Sequence, residues 1–261
     1  MYFIDVQGTL IDDKDKKPID GAIELIKKLN LEKTPYMIVT NSTKQESSEF
    51  LKYLNSMGLN IPKNRYLDPL MILDEVLDSK EILAFGVKGF LETLENRGYK
   101  IDSENPKTVL LGVKHDYTHL EYSQIIETLL QNPQTELVGM HGTSIYSKNG
   151  IRYVGVGAIL EMLKFATGRE YKVVGKPSEI FYKKALEMIR GKSFSNITMV
   201  SDDLKGDLVG AKKLGMKTIF VLSGKIRNID EVLPFSSENE KPDFVRDSVK
   251  NILTPRFKKI V

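Results

Sequence analysis

Asp5, Thr40, Asn41, Lys176, Asp202, Asp203 and Asp207 each stand where an apolar run stops or a helical pattern begins. Phe3 and Ile4 lead into Asp5, and the Gly8-Thr9 that follows reads as a turn leaving a strand. The types suit one task. A carboxylate can attack phosphorus to give an aspartyl-phosphate, while a hydroxyl and an ammonium hold the phosphoryl oxygens. Clustered carboxylates can carry a hard cation that neutralises charge. Phosphoryl transfer asks for little beyond such positioning and charge. Each residue also has a plainer reading. Asp5 can cap a turn and Thr40-Asn41 can cap a helix. Lys176 can be a surface lysine and Asp207 a first-turn acid. It is their coincidence at strand ends and helix starts, where helix dipoles favour anions, that points to one site.

The elements that must bring these residues together follow from the apolar pattern. A strand at Phe3-Ile4 is followed by a helix with Ile23, Ile26 and Leu29 on one face, a strand over Tyr36 to Thr40, and a helix with Phe50, Leu51, Leu54 and Met57. Strand and helix alternating in this way imply right-handed crossovers and a parallel sheet whose strand ends share an edge. From about Lys80 the pattern restarts: Ile82 to Phe85, a helix near Phe90 to Leu94, Thr108 to Val113, a helix near Tyr122 to Leu130, strands near Glu136 to Met140 and Ile151 to Val154, and a helix from Ala158 to Ala166. Tyr171 to Gly175 is expected to bring the chain back. The last third resumes with helix Ile180 to Ile189, strand Ile197 to Val200, helix Asp207 to Leu214, strand Lys217 to Leu222 and a short strand near Phe244. The expected organisation is an α/β core of 1–79 and 172–261 with a Rossmann-like three-layer arrangement, interrupted by an α/β unit over 80–171.

Composition narrows the function. Charged residues form 28% of the chain and the net charge is only +3, with Lys and Arg dispersed, which argues against a nucleic-acid partner. Cysteine is absent, which excludes disulfides, thiolate metal sites and a cysteine nucleophile. No apolar run approaches the ~18 residues of a membrane span, and charge returns at Asp5 and Asp12, so a soluble, cytoplasmic protein without a membrane partner is expected.

Asp5-Val6-Gln7-Gly8-Thr9-Leu10, Val39-Thr40-Asn41-Ser42, Gly175-Lys176-Pro177 and Ser201-Asp202-Asp203 through Asp207-Leu208 resemble the four motifs of the haloacid dehalogenase superfamily of phosphohydrolases. Gly210-Ala211, Leu214 to Thr218 and Val221-Leu222-Ser223-Gly224 further resemble the subfamily that includes the sugar phosphatase NagD and the 4-nitrophenyl phosphatases. That subfamily inserts an α/β cap (C2-type) between its second and third motifs. The resemblance implies Asp5 as nucleophile; Asp5, the carbonyl of Gln7 and Asp202 as Mg ligands; and Thr40, Asn41 and Lys176 as the phosphate grip. It implies outer support from Asp207 and leaves Asp203 between a water-mediated ligand and a helix-entry residue. It also implies a small phosphorylated metabolite as substrate and a homo-oligomer formed through the cap.

Two departures from the family pattern are informative. Its phosphatases usually carry an acid/base Asp two residues after the nucleophile, where this chain has Gln7. Glutamine exchanges no proton near neutral pH, and losing such catalysis costs on the order of 10² to 10⁴ in rate. The expectations are a phosphatase for good leaving groups, a slow phosphatase, or a protein that binds phosphorylated ligands without turnover. In the cap, Met140-His141-Gly142-Thr143-Ser144 stands where the subfamily has a polar substrate loop. His141 is therefore either a contact to the leaving group or a solvent-facing loop residue; His115 and His119 have weaker claims, and the three suggest no zinc site.

Overall fold

Phe3, Met37, Val39, Met199 and Phe220 turn to one side of a sheet, while Ile4, Ile38, Val200, Ile219 and Val221 turn to the other. This period-two alternation, apolar on both faces, is what a strand buried between two helical layers requires. The computed structural model describes residues 1–148, 151–232, 234, 236–250 and 252–253. The end of the expected core segment, 254–261, lies outside the described residues.

In chain order the elements are β1 (Tyr2–Ile4), α1 (Ala22–Leu31), β2 (Tyr36–Val39), α2 (Ser47–Ser56), β3 (Tyr66–Leu67), α3 (Leu73–Val76), β4 (Ile82–Phe85), α4 (Lys88–Asn96), β5 (Thr108–Leu111) and α5 (His119–Gln131). They continue as β6 (Glu136–Gly139), β7 (Ile145–Lys148), β8 (Ile151–Val154), α6 (Val156–Thr167), β9 (Tyr171–Val173), α7 (Glu179–Met188), β10 (Thr198–Ser201), α8 (Val209–Lys213), β11 (Lys217–Val221) and β12 (Phe244–Arg246). The first sheet has the order β12-β11-β10-β1-β2-β3 and every pairing is parallel. The apolar stripe of α1 (Ala22, Leu25, Ile26, Leu29) and that of α2 (Phe50, Leu51, Leu54) cover one face. Phe181, Tyr182 and Ala185 of α7 with Ala211 of α8 cover the other. The chain is thus an α/β fold with a three-layer core.

A second parallel sheet, β4-β5-β6-β9, carries the antiparallel hairpin β7-β8 beside it. Leu83, Phe85, Val109, Leu111 and Leu137 pack under α5 and α6 on one face. From the other face Ile82, Leu110 and Val138 join Phe90 and Leu94 of α4 in the same apolar cluster as Phe3, Met37 and Phe181. The two sheets therefore share a core. Polar contacts reinforce it: the Arg97 guanidinium at the end of α4 pairs with Glu46, the residue before α2, and donates to the Leu70 carbonyl.

Some local expectations differ from the structure. β9 pairs with β6, so the expected border at 171/172 falls inside a strand of the second sheet. The two-residue β3 and the strand β7 carry too little alternation to stand out as sequence. The helix expected from Asp207 is instead a wide π-type turn over Leu204–Leu208 running into the short α8. Among the described residues, no helix is long and apolar enough to cross a membrane.

Asp68, at the end of β3, illustrates what the sheet edge tolerates. It is buried and accepts hydrogen bonds from Tyr66 Oη at 2.7 Å, Ser47 Oγ at 2.8 Å and the Met71 backbone at 3.3 Å. Burial outweighs these bonds and pushes its pKa up to about 6. The folded state therefore binds the proton more tightly than the unfolded one, and this group's favourable contribution, complete below about pH 4, is lost as pH rises through 6. Asp68→Asn, which stays neutral, is expected to flatten the pH dependence of stability by up to about 3 kcal/mol between pH 4 and 7. Urea denaturation at both pH values measures this, and an unchanged slope would rule it out.

Candidate active site

The centre of the first sheet assembles the site. β1 lies between β10 and β2 with Ile4 in register with Val200 and Ile38, so the residues that follow these strands emerge side by side. Asp5 donates its backbone N–H to Val200 O at 2.9 Å, and Thr40 donates its own to Leu67 O at 3.1 Å. Lys176 comes from the other direction, three residues beyond β9. The ends of two sheets meet at one point.

Lys176 is only 1% exposed, and its Nζ donates to Asp5 Oδ1 at 2.5 Å and to Asp207 Oδ2 at 2.6 Å. Burial alone would lower its pKa, but Asp207 and Asp5 outweigh burial and hold the ammonium above its ordinary value. Asp207 also accepts from Ser201 Oγ at 2.6 Å, yet burial and the nearby Asp5 and Asp203 push its carboxyl up to about 6. The backbone of Lys176 is clamped by Asn41, whose Oδ1 accepts from Lys176 N at 2.9 Å and whose Nδ2 donates to Lys176 O and to Thr143 Oγ1, both at 3.3 Å. The Asn41 amide is thus engaged in positioning the lysine and joining the two units.

Thr40 is fully buried, and its hydroxyl donates to Gln7 Oε1 at 2.9 Å while accepting from Ser42 N at 3.1 Å. Thr40 is thus covered by Gln7, which is itself only half-buried. Thr9, which sequence reasoning overlooked, links two acids: its Oγ1 donates to Asp5 Oδ2 at 3.4 Å and accepts from Asp202 N at 3.2 Å.

Asp202 is packed between backbones. A Cβ on Gly8 would lie 2.3 Å from Asp202 Oδ2, and one on Gly224 would lie 1.9 Å from it; Gly8 also has a φ of +75°. Burial first, then Asp5 and Asp203, raises the Asp202 carboxyl well above the usual carboxylate range. Asp203 behaves oppositely. Its Oδ2 accepts from Lys225 Nζ at 2.6 Å and its Oδ1 from Gly206 N at 2.8 Å, and although burial raises its pKa, these partners hold it below the ordinary value. Lys225 also donates its backbone N–H to Asp202 Oδ2 at 3.0 Å. It was absent from the sequence reading, although it follows the strand β11 as the other site residues follow theirs.

Four acids (Asp5, Asp202, Asp203, Asp207) face two ammoniums (Lys176, Lys225), and burial together with this surplus of acids raises Asp202. That surplus, and the raised Asp202, suit a divalent cation held by oxygen donors. Among the described residues no three His, Asp or Glu side chains converge to ligate a metal by themselves. A cation here would need backbone oxygen, such as the Gln7 carbonyl, beside Asp5 and Asp202.

These groups open on a cavity of about 810 Å³ lined by Asp5, Gln7, Lys176, Asp202 and His141, among others. His141 is 4% exposed, so it is no solvent-facing loop residue, and its Nδ1 lacks a hydrogen-bond partner. Burial and the nearby Lys225 lower its pKa to about 4. His115 stacks edge-on to Tyr153 in the second unit and does not line this cavity.

Comparisons with known proteins bear on the family and the fold. A family model described as haloacid dehalogenase-like hydrolase matches residues 2–100, and one described as HAD-hydrolase-like matches residues 173–252. The human protein named phospholysine phosphohistidine inorganic pyrophosphate phosphatase is 24% identical over 96% of this chain and 93% of its own. The structure of p-nitrophenyl phosphatase from Archaeoglobus fulgidus superposes with a TM-score of 0.81 at 24% identity, covering 97% of each chain. NagD from E. coli K-12 gives 0.75 at 20% identity, covering 96% of this chain and 97% of that one. These likenesses in structure show a shared fold.

Because two acids depend on one buried ammonium, Lys176→Met should cost about 3–5 kcal/mol at pH 7. The loss should shrink at pH 5, where Asp207 takes up a proton. Denaturant midpoints at the two pH values check this; an equal loss at both would contradict the charge argument.

Proposed function

Because the chain belongs to the haloacid dehalogenase-like hydrolase family, we propose that it is a Mg-dependent phosphatase of a small phosphorylated metabolite. The observation that carries the reading is the shared Lys176 ammonium, which fixes Asp5 at the floor of a ligand-sized cavity. Asp5, the carbonyl of Gln7 and Asp202 would hold Mg²⁺, which when bound supplies neutralising charge at the phosphoryl oxygens. An Asp5 carboxylate oxygen attacks phosphorus in line, the bond to the leaving oxygen breaks, and that oxygen takes the electron pair. Lys176 and Thr40 hold the transferred group. Water then attacks the aspartyl-phosphate, which frees inorganic phosphate and restores the carboxylate. In this reading 80–173 is the cap that excludes water during the first transfer, and His141 faces the leaving group. The setting is cytoplasmic.

Gln7 sets the choice of substrate. In this reading Gln7 stands at the acid/base position of the family, and its amide, whose oxygen accepts from Thr40, has no proton to exchange. Leaving groups that depart with little protonation are therefore favoured, as in acyl and aryl phosphates. The name of the human relative also lists labile phosphorus bonds, those of phospholysine, phosphohistidine and pyrophosphate. The same Gln7 contact supports a second reading, a protein of this fold that binds phosphorylated ligands without turnover.

Phosphate release should therefore be Mg-dependent, abolished by chelator and by Asp5→Asn, and biased towards acyl, aryl and pyrophosphate substrates over sugar phosphates. Gln7→Asp should raise turnover of sugar phosphates by on the order of 10² or more and that of acyl phosphates by less, since there only hydrolysis of the aspartyl-phosphate gains. Absence of release from every substrate in both proteins would eliminate the phosphatase and leave the binding reading.

A further inference from the structure

Beyond the catalytic floor, the cavity wall holds unspent polar groups. Among the described residues, the buried side-chain atoms without a hydrogen-bond partner are Thr43 Oγ1 and His141 Nδ1, and both residues line this cavity. Such groups cost about 1–3 kcal/mol each when left unpaired, so their placement around one space points to something that fills it. Lys44 follows Thr43 in the same lining, and α4 fixes its backbone: a Cβ on Gly89 would lie 2.4 Å from the Lys44 carbonyl oxygen.

Charge at this end has the opposite sign to that at the floor. Lys16, Lys44 and Lys52 line it beside Asp13 and Glu49, and Lys148 of the hairpin lies close enough to Lys44 to repel it. The carboxylate facing Lys44 is Asp13, which Lys16 already approaches at 3.9 Å. Lys44 is solvent-exposed at the cavity edge; partial withdrawal from water, then repulsion by Lys16 and Lys148, lower its pKa. Phe50 and Tyr53 of α2 and Tyr146 of β7 add apolar wall.

We propose that the substrate carries a second anionic group, a carboxylate or a further phosphate, which Lys44 receives with help from Lys16 and Lys148 while Thr43 and His141 hydrogen-bond the leaving group. This rests on the phosphatase reading for the floor of the cavity and adds the polarity of its far end. Neutral His141 serves here as a hydrogen-bond partner, so the subsite needs no change of protonation. Lys44 selects among substrates and takes no part in the bond that breaks.

Matched probes with equal leaving groups test it: N-acetyl-phosphotyrosine against its carboxamide, and 1,4-phenylene bisphosphate against phenyl phosphate. Calorimetric affinity is measured with Mg²⁺ on the Asp5→Asn protein, which binds without turning over; the KM ratio of the unmutated protein reads the same preference should Asp5→Asn not fold. We expect about tenfold tighter binding of the probe with the extra anion in at least one pair, weakening with salt. The preference should fall to near one in Lys44→Gln and persist in Lys28→Gln, an exposed lysine outside the cavity lining. The pair that discriminates tells carboxylate from phosphate. Equal affinities within both pairs, or a preference that survives Lys44→Gln, would overturn the proposal. A preference without phosphate release by the unmutated protein would overturn the phosphatase reading alone.

Discussion

A lysine ammonium withdrawn from water between two carboxylates is the constraint around which this molecule is built. Lys176 must sit within hydrogen-bond reach of Asp5 and Asp207 at once. Burying a charge without partners is prohibitive, and a pair that loses one member leaves the other stranded. Every element touching Lys176 therefore has to hold its place. β1 and β10 deliver Asp5 and the turn carrying Asp207, Ser201 shares the Asp207 carboxylate, and Asn41 holds the lysine backbone from the end of β2. The fold's parallel sheet is the frame that makes this convergence cheap, because neighbouring strands end at one edge.

The surplus of acids beside that lysine explains why they differ so much. Asp203 is paired with the Lys225 ammonium and stays ionised, whereas Asp202, the more buried of the two, accepts the Lys225 backbone N–H and feels its burial and the neighbouring Asp5 and Asp203 more than the Lys225 charge. Its close packing against Gly8 and Gly224 leaves no room for a side chain at either glycine. Lys225 belongs to both halves of the molecule: its Nζ also approaches Ile145 O at 3.4 Å, and Arg152 of β8 donates to its carbonyl at 2.9 Å. Electrostatics at the site and docking of the hairpin are thus carried by the same residue.

The shared apolar core limits how the second unit can move. Phe90, Leu94, Leu110 and Val138 are buried in one cluster with Phe3 and Phe181, and separating them would expose large apolar area at roughly 25 cal/mol per Å². The polar ties Arg97–Glu46 and Asn41–Thr143 add direction to that contact. Small adjustments of the hairpin at the cavity mouth disturb less of this core than a swing of the whole unit.

Much of this was legible in the sequence. Strand and helix order, the parallel sheet and the convergence of Asp5, Thr40, Lys176, Asp202 and Asp207 follow from local periodicity and from the handedness of crossovers, both properties of neighbouring residues. The glutamine at position 7 was legible too, because residue type is read directly from the sequence. What tertiary structure alone decided are partners far apart in the chain. Asn41 clamps a lysine 135 residues away, Lys225 neutralises Asp203, β9 joins the second sheet rather than returning at once to the first, and Thr43 and His141 end buried and unpaired on one cavity. No spacing rule encodes these. Residue types and periods determine which groups reach the sheet edge; burial and pairing there depend on how two sheets pack, and that is a property of the assembled chain.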